Sequence, residues 1–387
     1  MPEHALADYR AEFEVVRRKR YLISASLGPV GRRSRAHLDA YIDAWATKGA
    51  PDHVWFEDIF PTMARLKDGF AALAGCDPNE VALTPNISIA LATILSCLDL
   101  AGPRRRIVLS ELDFPSDTNV LHAWAARHGF EVVTLRSPDG LTLPEEAFDE
   151  AIDERTAFVL VNRVLYRSSA LLDAAAVCAI ARERGAMSFV DDYHGLGVVP
   201  LDLHALGCDV YAAGALKFLC GGPGCVFLYA RADLLPRLSP TLTGWFGTAE
   251  PFAFATDAAP YHAGARRLEH GTPPAPVFPI ALGGLEVIAE VGVQRIRERQ
   301  WELQDLVIAR ADELGLEVRT PRIPTARGGV VNVRVGPDAD AICHRLLARD
   351  VCTDFRGDGL RISPHFFTLE EDVDGLFEEL VPLLTGS

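Results

Sequence analysis

Two neighbouring stretches decide the fold: Phe189-Val190-Asp191-Asp192-Tyr193-His194-Gly195-Leu196-Gly197, and then Ala212-Ala213-Gly214-Ala215-Leu216-Lys217-Phe218-Leu219-Cys220-Gly221-Gly222-Pro223-Gly224. Each starts as a short apolar run and passes into small, polar and turn-forming residues, the pattern of a buried strand that ends at a functional loop. The same pattern repeats outward. Apolar runs at 81–83, 106–109, 130–134, 157–161 and 187–190 alternate with helix-length segments at 87–98, 116–128 and 174–184, and further runs at 210–213 and 225–229 flank the Gly/Pro-rich turn. Short strands rich in Val, Ile and Phe, separated by helices, predict an α/β fold with a mainly parallel central sheet and helices on both faces. In such sheets the ligand sits beyond the carboxyl ends of the strands.

The flanks complete this plan. Helices are expected around 35–45 and 55–73, a helix from about 278 and a long one over 293–314. A small α+β C-terminal domain follows, with strands at 329–335, 351–355 and 359–362, a helix at 339–349 and a terminal helix from 369. The expected division is an N-terminal segment 1–50 packing on the small domain, a large domain 51–290 and the small domain 291–387. The 387 residues are 49% hydrophobic and 24% charged, enough apolar material for a large core. The net charge of −15 opposes binding to nucleic acid or an anionic membrane, because the summed field repels phosphate.

Residues 1–20 carry Glu3, Asp8, Glu12 and Glu14 and no apolar core of a secretory signal, so a cytoplasmic protein is expected. The least charged long stretch, 211–230, is interrupted by Lys217, glycines and Pro223, which argues against a membrane span. The eight cysteines form no CxxC pair, so neither disulfides nor a metal site is expected.

Common catalytic motifs are missing: there is no GxSxG, no GxxxxGK[ST] and no HExxH, and Gly195-x-Gly197 continues to Pro200 where a dinucleotide fingerprint has a third Gly. What remains is Asp191 at a strand end and Lys217, 26 residues on, in apolar surroundings. A desolvated lysine has a lowered pKa and can form a Schiff base, and a buried aspartate can keep a pyridine nitrogen protonated.

On these residues the chain resembles the kynureninases, within the class V aminotransferase branch of the fold-type I pyridoxal-phosphate enzymes. D-x-x-H-x-x-G matches Asp191, His194 and Gly197, and K-[YF]-L-x-G-G-P-G matches Lys217 to Gly224. F-P-[ST]-D matches Phe114 to Asp117, G-W-F-G matches Gly244 to Gly247 and G-T-P-P matches Gly271 to Pro274. D-F-R and L-R-[IV] match Asp354 to Arg356 and Leu360 to Ile362. The resemblance spans nearly the whole chain.

It implies pyridoxal 5′-phosphate as cofactor, with Lys217 carrying it and shuttling the Cα proton, Asp191 on the pyridine nitrogen, and His194 at the ring or its 3′-oxygen. Asp192 is the alternative partner of that nitrogen, and His194 is otherwise a satisfied loop histidine. Phe114 would stack on the ring, or simply be core. Asn86, Ile87 and Ser88 would hold the phosphate at a helix start, where Asn86 or Ser88 also suits an N-cap. Thr272, otherwise a turn residue, would reach the phosphate in a neighbouring subunit, which implies a homodimer with shared sites. Arg361 would clamp the α-carboxylate of an amino-acid substrate, or else form a domain-surface salt bridge. Trp245 would line the side-chain pocket or pack as core, and Cys352 reads as a structural thiol rather than a desulfurase nucleophile.

The chain departs from the kynureninase pattern at Leu216, where the family has a tyrosine, at Ala215, where it has a hydroxyl residue, and at Leu165, where it has an asparagine. The lost tyrosine is a proton donor, a group that commonly contributes about 10²–10⁴ in rate, so Tyr166, Tyr193 or another residue would have to replace it. The expected activity is Cα deprotonation of an α-amino acid with cleavage of the Cβ substituent. Class V transamination is the alternative, and a non-catalytic binding or regulatory protein on the same fold is the alternative of another class.

Overall fold

A computed structural model describes residues 6–384, so the ends of the expected segment 1–50 and domain 291–387 lie outside the described residues. The chain opens with strand β1 (Arg20–Tyr21) and helices α1 (Arg32–Lys48) and α2 (Phe60–Ala74). There follow β2 (Val81–Thr84), α3 (Ile87–Leu95), β3 (Arg106–Ser110), α4 (Pro115–His128), β4 (Glu131–Leu135) and α5 (Glu145–Ala151). Next come β5 (Thr156–Asn162), α6 (Ala174–Glu183), β6 (Met187–Asp191), α7 (Leu203–Leu206), β7 (Val210–Gly214) and β8 (Val226–Ala230). The C-terminal part is α8 (Val277–Val291), α9 (Val293–Glu313), β9 (Val331–Arg334), α10 (Ala339–Leu347), β10 (Val351–Cys352), β11 (Asp354–Arg356), β12 (Gly359–Ile362) and α11 (Glu370–Leu384).

The central sheet has seven strands in the order β2-β8-β7-β6-β5-β3-β4. All neighbours pair in parallel except β8, which is antiparallel to both β7 and β2. Side-chain alternation explains why these strands read as continuous apolar runs: both faces are covered. Phe189, Leu160, Leu109 and Leu228 point into one layer with Leu91 and Ile94 of α3 and Leu121 of α4. Val190, Val161, Val108 and Phe227 point into the other, with Leu66 and Phe70 of α2, Val177 of α6 and Leu285 of α8.

A second, antiparallel sheet, β11-β12-β9, packs Leu360, Ile362 and Val331 against Leu303 and Val307 of α9 and Val373 and Leu376 of α11. The chain ahead of α1 joins this region: β1 pairs in parallel with β10, and Arg10 forms an ion pair with Asp372 at 2.7 Å. Helix α1 instead lies along α8, so closely that a Cβ on Gly283 would stand 2.3 Å from the backbone nitrogen of Ser34.

Three local expectations change. The helix expected over 55–73 begins as a π-helical turn, His53–Ile59, because Pro61 at the start of α2 has no N–H to donate to the preceding turn. The strand expected over 351–355 divides at Thr353, since β10 pairs with β1 while β11 pairs with β12. Helix α5, which follows Pro144, has no counterpart in the sequence reading. No single described helix is long and apolar enough to cross a membrane.

Candidate active site

The parallel register of β5, β6 and β7 aligns Asn162 with Asp191 and Asp191 with Ala212, which brings the residues that follow these strands to one edge of the sheet. Asp191 is the last residue of β6, and Lys217 stands three residues beyond β7. The Lys217 side chain is buried. Its Nζ lies 2.5 Å from His194 Nε2, and it sits 5.5 Å from the centre of the Phe114 ring and 5.2 Å from that of Tyr193. Burial pulls the ammonium pKa down to about 7, against the attraction of Asp191 and with help from the positive fields of Arg361 and Arg356. His194 is held well below the usual histidine range by burial and then by Lys217, and its Nδ1 has no protein partner. The Tyr193 ring reaches this position because residue 214 is glycine: a Cβ there would stand 2.2 Å from the tyrosine Cζ.

Beneath the lysine lies a group of buried acids. Asn162 donates from Nδ2 to Asp113 at 3.1 Å and to Asp117 at 3.3 Å, and Asp117 is hydrogen-bonded to Asp191. Burial raises all three carboxyl pKa values, that of Asp113 to about 7 and that of Asp117 well above the usual range, where the charge of Asp191 adds to the effect. Asp117 and Asp191 share a hydrogen bond, which requires one proton between the two carboxyl groups, and Asp191 also accepts the Tyr193 backbone N–H at 2.8 Å. Asp192 points to the opposite face, where it is fully buried between Arg163 at 2.8 Å and the Tyr211 hydroxyl at 3.1 Å.

Asn86 is the N-cap of α3, its side chain accepting the Ile89 N–H at 2.9 Å, which leaves the first N–H groups of the helix, at Ile87 and Ser88, facing outward from the end of β2. Arg361 is buried. It donates to the Tyr166 carbonyl at 2.7 Å and to Ser26 Oγ at 2.8 Å and pairs with Asp354, while its Nε has no partner. The loop carrying Ser26 crosses directly over the lysine backbone: Gly28 N–H donates to the Leu216 carbonyl at 2.9 Å, and a Cβ on Gly28 would lie 2.0 Å from the Lys217 oxygen.

Lys217, His194, Asp191 and Phe114 thus come together. Trp245 and Thr272 do not join them among the described residues. Trp245 packs against Phe246 at 4.3 Å and Phe254 at 5.9 Å, and Thr272 is exposed. Cys352 is buried in β10 with its thiol pKa raised by burial. Asp113, Asp117, Asn162, Ser26 and Asp354 carried no role in the sequence reading. The available signal was that Asn162 and Asp191 each stand one residue beyond an expected apolar run, at 157–161 and 187–190.

The aminotransferase class-V family model matches residues 36–374. The chain belongs to the aminotransferase class-V family. It is 31% identical over 381 residues to the uncharacterized aminotransferase YcbU of Bacillus subtilis, covering 98% of each chain. It is also 31% identical to the kynureninase of Pseudomonas fluorescens, over 92% of this chain and 86% of that protein. Among solved structures it superposes with a TM-score of 0.88 on a lysine-to-alanine mutant of C-DES that carries glycine covalently linked to its pyridoxal-phosphate cofactor, at 20% identity over 96% of this chain and 98% of that one. The likeness confirms the fold-type I architecture.

This class-V member is a pyridoxal-phosphate-dependent enzyme, and the residues present fit that cofactor. A buried carboxylate with no guanidinium on it suits a pyridinium N–H. The orphaned Nδ1 of His194 suits a polar ring substituent, the Phe114 ring a stacked heterocycle, and the free N–H groups of α3 a phosphate.

Proposed function

We propose that this class-V enzyme acts on an α-amino acid, removing the Cα proton and cleaving the Cβ substituent, in the manner of a kynureninase-like hydrolase or lyase. The observation that carries the reading is the Lys217 amine, buried beside His194 with a pKa near 7, so that it exchanges protons at neutral pH. Bound at Lys217, pyridoxal phosphate supplies an electron-withdrawing ring that makes the substrate Cα acidic. Asp191, hydrogen-bonded to Asp117, holds the ring nitrogen protonated. Phe114 fixes the ring plane, His194 meets the ring oxygen, and Ile87, Ser88 and Asn86 hold the phosphate. Arg361 binds the substrate α-carboxylate with the donors that Tyr166, Ser26 and Asp354 leave free, Nε among them. Lys217 then takes the Cα proton and delivers one at the end of the cycle. Trp245 and Thr272, which stand apart from Lys217 within one chain, would serve a site shared between two copies, Trp245 lining the side-chain pocket and Thr272 reaching the phosphate, so the working unit is a cytoplasmic homodimer of chains divided at about 50 and 290.

Leu216 supports transamination as a second reading, because no hydroxyl donor stands at that position and transamination needs only the lysine as proton carrier. Incubating the cofactor-loaded enzyme with kynurenine, cysteine, aspartate and alanine, and analysing the products by mass spectrometry, tests the two. Release of the side chain as a separate product supports cleavage. A 2-oxo acid that retains its whole side chain overturns it in favour of transamination. The buried Cys352, with its raised thiol pKa, speaks against a desulfurase-type nucleophile at that position.

A further inference from the structure

At the opposite edge of the central sheet, where the parallel strands begin, lies a cleft of about 520 Å³ that the chemistry at Lys217 does not use. It is bounded by the residues that enter β3, β5, β6 and β7 and by those that leave β8, the antiparallel strand. Five-residue strands separate it from the catalytic edge by roughly 15 Å or more.

The charge of this cleft runs against that of the protein. In a chain of net charge −15, its wall carries Arg104, Arg182, Arg231 and Arg237 against Asp99 and Asp209. Arg231 is spent on Asp209, at 3.1 Å, and on Asp233, at 2.5 Å. The other three arginines have no carboxylate in ion-pair distance among the described residues. Two of them are nonetheless held in place. Arg104 donates from Nη1 to the carbonyls of Thr156 at 3.1 Å and Arg184 at 2.8 Å, and Arg182 donates to the carbonyl of Gly207. Each guanidinium has five N–H donors in a rigid fork, so both keep donors for something else. The lining is about equally polar and apolar, its apolar part including Leu98, Met187, Leu234 and Leu238.

Guanidinium groups anchored by backbone carbonyls and outside ion-pair distance of a carboxylate, even though the Arg182 charge still acts on Asp233, are preorganised for a multiply charged anion. Phosphate accepts from such forks bidentately, and the apolar part of the lining suits a flat or greasy body attached to it. The volume is that of a metabolite-sized ligand site. We propose that this cleft is a second ligand site, separate from the catalytic one, for a phosphorylated small molecule of nucleotide size.

The test is calorimetric titration of the cofactor-loaded protein, whose catalytic phosphate cradle is already filled, with adenosine 5′-monophosphate as the probe. The same titration is run on the Arg182→Gln/Arg237→Gln double variant; both side chains are exposed, and neither belongs to the catalytic machinery. Circular dichroism and the visible spectrum of the loaded cofactor establish that the variant is folded. Saturable binding to the parent with a dissociation constant below ~1 mM, weakened about tenfold or more in the variant, supports the site. No saturable binding up to ~10 mM, or binding that the two substitutions leave unchanged, overturns it.

Discussion

Asp191 and Asp192 are consecutive, identical in chemistry and both almost fully buried, yet they face opposite layers of the sheet and meet opposite fates. On one side Asp192 is neutralised within the chain by Arg163 and Tyr211. On the other, Asp191 is surrounded by further acids, with Asp117 on it, Asp113 close by and Lys217 as the cation that faces it. A buried charge must be paired or it shifts its pKa, so the two sides differ in where the pairing comes from. The Asp192 side holds its cation as the chain folds, although burial still raises the Asp192 pKa and its Oδ1 has no partner. The Asp191 side is built with a surplus of acid and a weakened ammonium, an arrangement that a cationic ring nitrogen would balance.

The strongest challenge to this contrast is Lys217→Ala. It should lower turnover by about 10⁴-fold or more and remove the visible absorption that borohydride traps in the parent, with the unfolding midpoint little changed. Turnover that survives would break the assignment. Next in size, Asp192→Asn should act on stability rather than chemistry. Leaving Arg163 buried without its carboxylate costs about 3–5 kcal/mol, to be read from urea unfolding, while activity per folded molecule stays near that of the parent.

Asp191→Asn should do the reverse. A loss of about 10²-fold in turnover is expected, with a cofactor spectrum altered in position and an unfolding free energy equal to or above that of the parent, because a buried acid with no guanidinium partner has been removed. If the two asparagine variants lose the same quantity, the contrast fails.

The smallest effect is a pH dependence. The neutral amine is the form that attacks a carbonyl, and the pKa of Lys217 lies near 7 instead of the ordinary 10.5. Capture of pyridoxal phosphate by the apo protein should therefore accelerate as pH rises through about 7 and level off above it, measured by stopped-flow absorbance. A rate that climbs steadily to pH 10 would place the amine in water.

Much of the fold was legible because its signals are local. Alternating apolar runs and helix-length segments come from side-chain periodicity, and β6 and β7 ended within a residue or so of where their apolar runs ended. Lys217 stood out for the same reason, as a lone cation amid Ala, Gly, Leu and Phe. The surroundings of Arg361 were less legible. Its partners Ser26 and Asp354 lie 335 and 7 residues away, and no spacing rule brings an N-terminal loop onto a C-terminal strand. The break at Thr353 was hidden for a related reason: a strand that changes partner keeps its apolar pattern across the change.

By itself, then, the sequence determined the α/β layering, the mainly parallel sheet and the pair Asp191 and Lys217, because periodicity and strand-end chemistry are written in consecutive residues. Only the tertiary structure decided that Asp113, Asp117 and Asn162 gather under the lysine, that Asp192 turns away to Arg163, and that three arginines outside ion-pair distance of any described carboxylate line one cleft at the far edge of the sheet. Those placements depend on which face each side chain takes and which distant strand or helix covers it, and packing between elements fixes both at once.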